Sequence, residues 1–151
     1  MLIASGAVGA EILNHRGGQR LLRLDGWIAF IQYVRRMVEC YALSESDILA
    51  RVPREMLLVC GHEREDLPCS FRTMLFESSA KAPGEEAMQA LVRFVNAYGQ
   101  GYRTEQTVIC DECLLVLKGE RERYSDYLHH EKKRNTTVAL SAAMGIAILL
   151  L

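Results

Sequence analysis

Proline is scarce in this chain, with three among 151 residues, and no run of short segments alternates apolar with polar residues. That pattern argues against an all-β sandwich or barrel. Charge of one sign is also missing: eighteen Lys and Arg stand against nineteen Asp and Glu, giving a formal net charge of -1 and a pI near 6.4. A surface that neutralises nucleic-acid phosphates needs a basic excess, so nucleic acid is not an expected partner. The five cysteines are odd in number and follow no regular framework, unlike a secreted disulfide scaffold. No Gly-x-x-x-x-Gly-Lys-Ser/Thr, Gly-x-Ser-x-Gly or His-Glu-x-x-His occurs. No catalytic residue, bound cofactor, metal or small-molecule substrate is therefore expected, and the chain reads as a non-enzyme. What is present is 50% hydrophobic and 25% charged residues, enough for one domain to bury a core. Mean hydropathy is +0.02, and the apolar excess sits at the two ends.

From Thr136 to Leu151 sixteen residues run without a charge. As a helix this segment is about 24 Å long, short of a roughly 30 Å hydrocarbon core, but Lys132, Lys133 and Arg134 beside it can snorkel to headgroups. The expectation is a C-terminal transmembrane helix over 136–151, the competing reading being a buried core helix. Residues 1–15 form an N-terminal apolar segment interrupted by Glu11, too short to span alone and without the basic start of a signal peptide. A short anchor, a half-inserted helix and a truncated span all fit it. Arg16, Arg20 and Arg23 follow the first segment, and Lys132 to Arg134 precede the last. The positive-inside rule then puts residues 16–135, a helical bundle and stalk, in the cytoplasm.

The middle of the chain is helical in period. Trp27, Phe30, Ile31, Val34, Val38 and Tyr41 mark one face of a helix from about Arg20 to Leu43. Ser44 and Ser46 are N-cap candidates for a short helix ending near Pro53, and another passes through Met56 and Val59. Gly61 to Pro68 reads as a polar loop, and Cys69 to Ser79 as a helix carrying Phe71, Met74, Leu75 and Phe76. Glu85 and Glu86 suit the start of a helix that buries Leu91, Phe94, Val95 and Tyr98 and stops at Gly99-Gln-Gly101. From Arg103 onward no proline intervenes, so one helix is expected to run to the end, with a core stripe of Val108, Ile109, Leu114, Val116 and Leu117. Its stretch Lys118 to Asn135 holds ten charged residues in eighteen and reads as a stalk. A turn near Gly119 or Asn135 is the alternative. The fold expected is all-α: an antiparallel helical bundle with a long C-terminal stalk helix continuing into the membrane.

Two groups carry potential chemistry. Cys110-Asp-Glu-Cys113 is a Cys-x-x-Cys, but it lies inside a helical run and among acidic residues that raise thiol pKa values, unlike the loop-to-helix placement of redox motifs. Cys60, His62 and Cys69 join Cys110 and Cys113 in a zinc site only if the loop packs on the last helix, and their spacing fits no regular zinc module. The paired His129 and His130 are adjacent on a helix and point apart.

The layout resembles the stage III sporulation protein AB family of endospore-forming bacteria. The stretches that carry the resemblance are ECYALSESDILARVP at the end of the first long helix, LVRFVNAYGQGYRTEQ, and the stalk RERYSDYLHHEKKRNTTVALSAAMGIAILLL. The resemblance is one of layout and covers essentially the full length, although the N-terminal apolar segment is shorter than in that family and carries Glu11. The resemblance implies a soluble part like the cytoplasmic helical domain of type II secretion F proteins, held in the mother-cell membrane and facing the cytoplasm. It implies a structural role in the complex bridging mother cell and forespore, with a secretion-type ATPase, other membrane subunits and ring-forming proteins as partners. It brings no catalytic residues. The rival reading is a tail-anchored zinc- or redox-sensing protein that uses Cys110 and Cys113.

Overall fold

A computed structural model describes the backbone of residues 4–78 and 83–149, and side chains within 18–78 and 83–131. Among the described residues there are six helices and no strand: α1 Ala4–Tyr41, α2 Glu45–Arg51, α3 Arg54–Cys60, α4 Phe71–Ser78, α5 Glu85–Ala97 and α6 Arg103–Leu149. The fold class is all-α, a helical bundle. Two compact units divide it, Met1–Arg121 and Glu122–Leu151.

In the first unit, helix starts and stops follow local chemistry. Ser44 caps α2, its hydroxyl accepting from the Asp47 amide at 3.3 Å, and Glu45 and Asp47 sit at the positive end of the helix dipole. Pro53 separates α2 from α3, because its ring cannot continue a helix. Helix α3 ends in a Schellman motif: Gly61, at φ 106°, donates to Leu58 O, and His62 N–H donates to Leu57 O at 2.9 Å. Only glycine takes that left-handed φ without a Cβ penalty. Glu85 and Glu86 open α5, and Glu105 reaches back to the Tyr102 amide at 3.0 Å to cap α6.

The packing is built on α1. Arg23 donates to Leu58 O at 2.8 Å and Val59 O at 2.9 Å, and Tyr33 donates to Arg51 O at 3.0 Å, so α2 and α3 run antiparallel along it. Along another side of α1, Arg35 meets Asp111 at 2.7 Å and Asp25 meets Arg121 at 2.5 Å, with Arg20 3.6 Å from Glu120. From Asp25 to Arg35 on α1 the partner on α6 moves back from Arg121 to Asp111, so these two helices are antiparallel. The pairs are largely half-exposed and set register more than stability. The core holds Trp27, Phe30, Ile31, Leu57, Phe71, Leu91, Phe94 and Leu117, all fully buried or nearly so.

Several expectations shift. On α6 the buried stripe is Cys110, Cys113, Leu114 and Leu117, at spacings of three and four; Val108 is 50% exposed, while Ile109 and Val116 are half-buried. Tyr41, the last residue of α1, is exposed, as is Phe76 on α4. Helix α6 passes Gly119 without a turn. The membrane expectations fall on residues 1–15 and 136–151, whose side chains lie outside the described residues. Among the described residues no helix is long and apolar enough to cross a membrane.

Candidate functional site

The Cys-x-x-Cys sits on the inner side of α6. Cys110 and Cys113, three residues apart, share the helix face that packs on the core, and both are buried. Burial pushes the Cys110 thiol up to about 12, with the Asp111 carboxylate adding to it and Arg35 opposing. Burial likewise raises Cys113 to about 12. Cys60 is fully buried and raised further still by the same cause. Thiol nucleophilicity requires the thiolate, which burial disfavours in these groups. Their surroundings are those of core thiols, which pack as small apolar groups.

The remaining zinc-candidate residues are occupied otherwise. His62 is buried where the chain leaves α3, its Nδ1 2.9 Å from Glu77 Oε2 and its Nε2 2.8 Å from the Asp66 carbonyl. Nε2 is thus hydrogen-bonded, whereas Nδ1 lies within ion-pair distance of the carboxylate but without hydrogen-bond geometry. Glu77 turns its other oxygen to Arg64 at 2.6 Å, so the loop following α3 is tied to the end of α4 through one carboxylate. Cys69 is exposed, with its sulfur 3.2 Å from the Thr73 hydroxyl. Among the described residues no three His, Cys, Asp or Glu side chains converge as metal ligands. His129 and His130 are both exposed.

A cleft of about 380 Å³ that sequence reasoning missed opens where α1 ends and α6 begins, lined by Val38, Leu43, Glu45, Tyr98, Arg103 and Gln106. The Tyr98 ring packs on Phe71 and Phe94, at centroid distances of 4.9 and 5.5 Å. Its hydroxyl is buried with no hydrogen-bond partner among the described residues. Burial, with the charge of Glu45 as a lesser cause, pushes its pKa up. Tyr98 thus lines the cleft while its hydroxyl stays a buried, neutral O–H.

The thiols give a direct test. In the folded protein Cys40 and Cys69 should react with an aromatic disulfide reagent within minutes, while Cys60, Cys110 and Cys113 should react only on unfolding. Counting released chromophore with and without urea reads this. A third fast thiol would show that the α6 pair is accessible. Because the folded thiols titrate above their ordinary value of 9.0, stability is fully present below that value. It is lost as pH rises from there through about 12, the sign opposite to that of a salt-bridged carboxylate whose pKa is depressed in the folded state.

Compared with known proteins, the chain matches no family, no curated protein and no solved structure. The resemblance to the sporulation family therefore rests on the residue pattern.

Proposed function

We propose that this chain is a membrane-anchored structural subunit of a secretion-like assembly, the stage III sporulation complex between mother cell and forespore. It acts by protein contacts and without catalysis. In this reading the bundle faces the mother-cell cytoplasm, and 136–151 forms the transmembrane continuation of α6. Its partners are a secretion-type ATPase and other membrane subunits of the complex.

The observation that supports the reading is the antiparallel pairing of α1 with α6. Arg20 with Glu120 and Asp25 with Arg121 bring both helices to the same end of the first unit. The chain runs towards its N-terminal apolar segment from Arg20, and towards its C-terminal one from Arg121. The basic residues on the inner side of each segment match a cytoplasmic bundle.

Two measurements test this. In sporulating cells the chain should co-purify with the secretion-type ATPase; recovery without it removes the assembly reading. For topology, Lys81→Cys in a Cys40→Ser, Cys69→Ser background should be labelled by an impermeant reagent only after permeabilisation. Labelling in intact cells would place the bundle outside and end the proposal. Metal analysis of the reduced protein separates the rival, since about one zinc per chain would favour a sensor built on Cys110 and Cys113.

A further inference from the structure

Helices α5 and α6 enclose a groove of about 320 Å³ on the outer surface of the first unit. Its apolar lining comes from Ala90, Phe94 and Ala97 of α5 and from Ile109, Cys113 and Val116 of α6. Beside it stands Leu115, which lines the groove yet is 76% exposed, and Val108 lies two turns earlier on α6, 50% exposed. Leucine at that exposure on a well-patterned helix contributes nothing to the core. One charge of each sign lines the groove: Arg93 comes from α5 and Glu112 from α6. Neither forms an ion pair among the described residues, although Arg93 is close enough to Cys113 to lower its thiol pKa slightly against the effect of burial.

A projecting apolar side chain, an apolar recess and one unpaired charge of each sign on the same face make that face complementary to itself. A two-fold axis brings a knob to a hole and a cation to an anion, each contact occurring twice. We propose that the α5–α6 face is a homodimer interface, in which Leu115 of each copy seats in the groove of the other and Arg93 pairs with the partner's Glu112. The charge pattern selects this occupant. A peptide or lipid surface of one sign meets repulsion from either Arg93 or Glu112, whereas a second copy satisfies both. The apolar strip continues along α5 through Met88 and Val92, which line an adjoining recess that also reaches Arg93. The groove itself is small, so the dimer belongs to the weak class of interfaces and assembles with concentration.

The inference does not rest on the sporulation reading, and its test uses the full chain in detergent micelles followed by sedimentation equilibrium. The wild-type chain should dimerise by about 100 µM. Leu115→Arg should raise the dissociation constant about 30-fold or more, the loss of a central anchor. Arg93→Glu and Glu112→Arg should each raise it about tenfold by placing like charges together, and the double reversal should return to within about threefold of wild type. All three positions are exposed, so thermal midpoints should stay unchanged, which separates a lost contact from a lost fold. A wild-type monomer at about 100 µM overturns the proposal. So does a dimer indifferent to Leu115→Arg, which would assemble through other surfaces such as the apolar ends. Failure of the double reversal to recover dimerisation overturns the two-fold pairing and leaves the face to a different partner.

Discussion

Replacing Trp27 by alanine should cost about 3–5 kcal/mol of unfolding free energy. Trp27 is the single tryptophan and is 1% exposed on the inner face of α1. It stands edge-on to Phe30 with ring centroids 5.7 Å apart, Phe30 stands edge-on to Phe71 at 5.5 Å, and Phe71 stacks on Phe94 at 5.7 Å. One row of rings therefore crosses from α1 through α4 to α5. Truncating its first member removes the largest buried side chain and leaves a cavity that rigid helices on each side cannot close. Edge-on aromatic pairs add about 0.5–1.5 kcal/mol beyond buried area, so the loss falls in the upper part of the range. Phe76→Ala is the control. That ring is 59% exposed, and its loss should change stability by less than about 0.5 kcal/mol. Urea unfolding followed by far-ultraviolet circular dichroism reads both, with unchanged slope as the check that only stability moved. A loss below about 1 kcal/mol for Trp27→Ala would mean that the row of rings does not organise the core.

The members of that row were each legible by spacing, since Trp27, Phe30, Phe71 and Phe94 all fall on apolar helical faces. Their contacts between helices were not, because Phe30 meets Phe71 and Phe71 meets Phe94 across loops and turns that no local pattern spans. The same holds for the ion pairs. Arg35 and Asp111 are separated by 76 positions, and neither shows in its own neighbourhood that it has a partner. Local chemistry carried further: Ser44, Pro53, Gly61 and the Glu85–Glu86 pair mark real helix ends, because caps and breakers act within a turn of the chain. Where the reading of α6 slipped, the reason was residue type. Val108 looks like core by hydropathy, and Cys110 and Cys113 draw attention as chemistry, yet the helix turns the cysteines inward and the valine out. His62 illustrates the converse. In the sequence it belongs to a polar run, and only Glu77, fifteen positions later, gives it a reason to be buried. The apolar ends, legible as composition, lie outside the residues whose side chains the structure describes.

Adding one methyl group at Gly26 should destabilise the protein by about 1–3 kcal/mol, although alanine is the better helix former by about 1 kcal/mol. A Cβ built there lies 2.6 Å from Val59 Cγ1 and 3.0 Å from the Val59 carbonyl carbon. The side-chain atom can move; the backbone carbon of α3 cannot without shifting the helix. That helix is fixed to α1 one turn away, where Arg23 spans the carbonyls of Leu58 and Val59 in the last turn of α3. Pushing α1 and α3 apart thus stretches two hydrogen bonds and opens contacts around Leu57, which is fully buried. Gly119→Ala supplies the opposite case. It also lies inside a long helix, but nothing stands within 4 Å of the added Cβ, so the propensity gain is unopposed and stability should rise by about 0.5–1 kcal/mol. The two substitutions are chemically identical and should differ in sign. Urea unfolding of both variants decides it: Gly26→Ala as stable as the parent would show that α1 and α3 are not in contact at that crossing. A destabilising Gly119→Ala would show that α6 is not helical there.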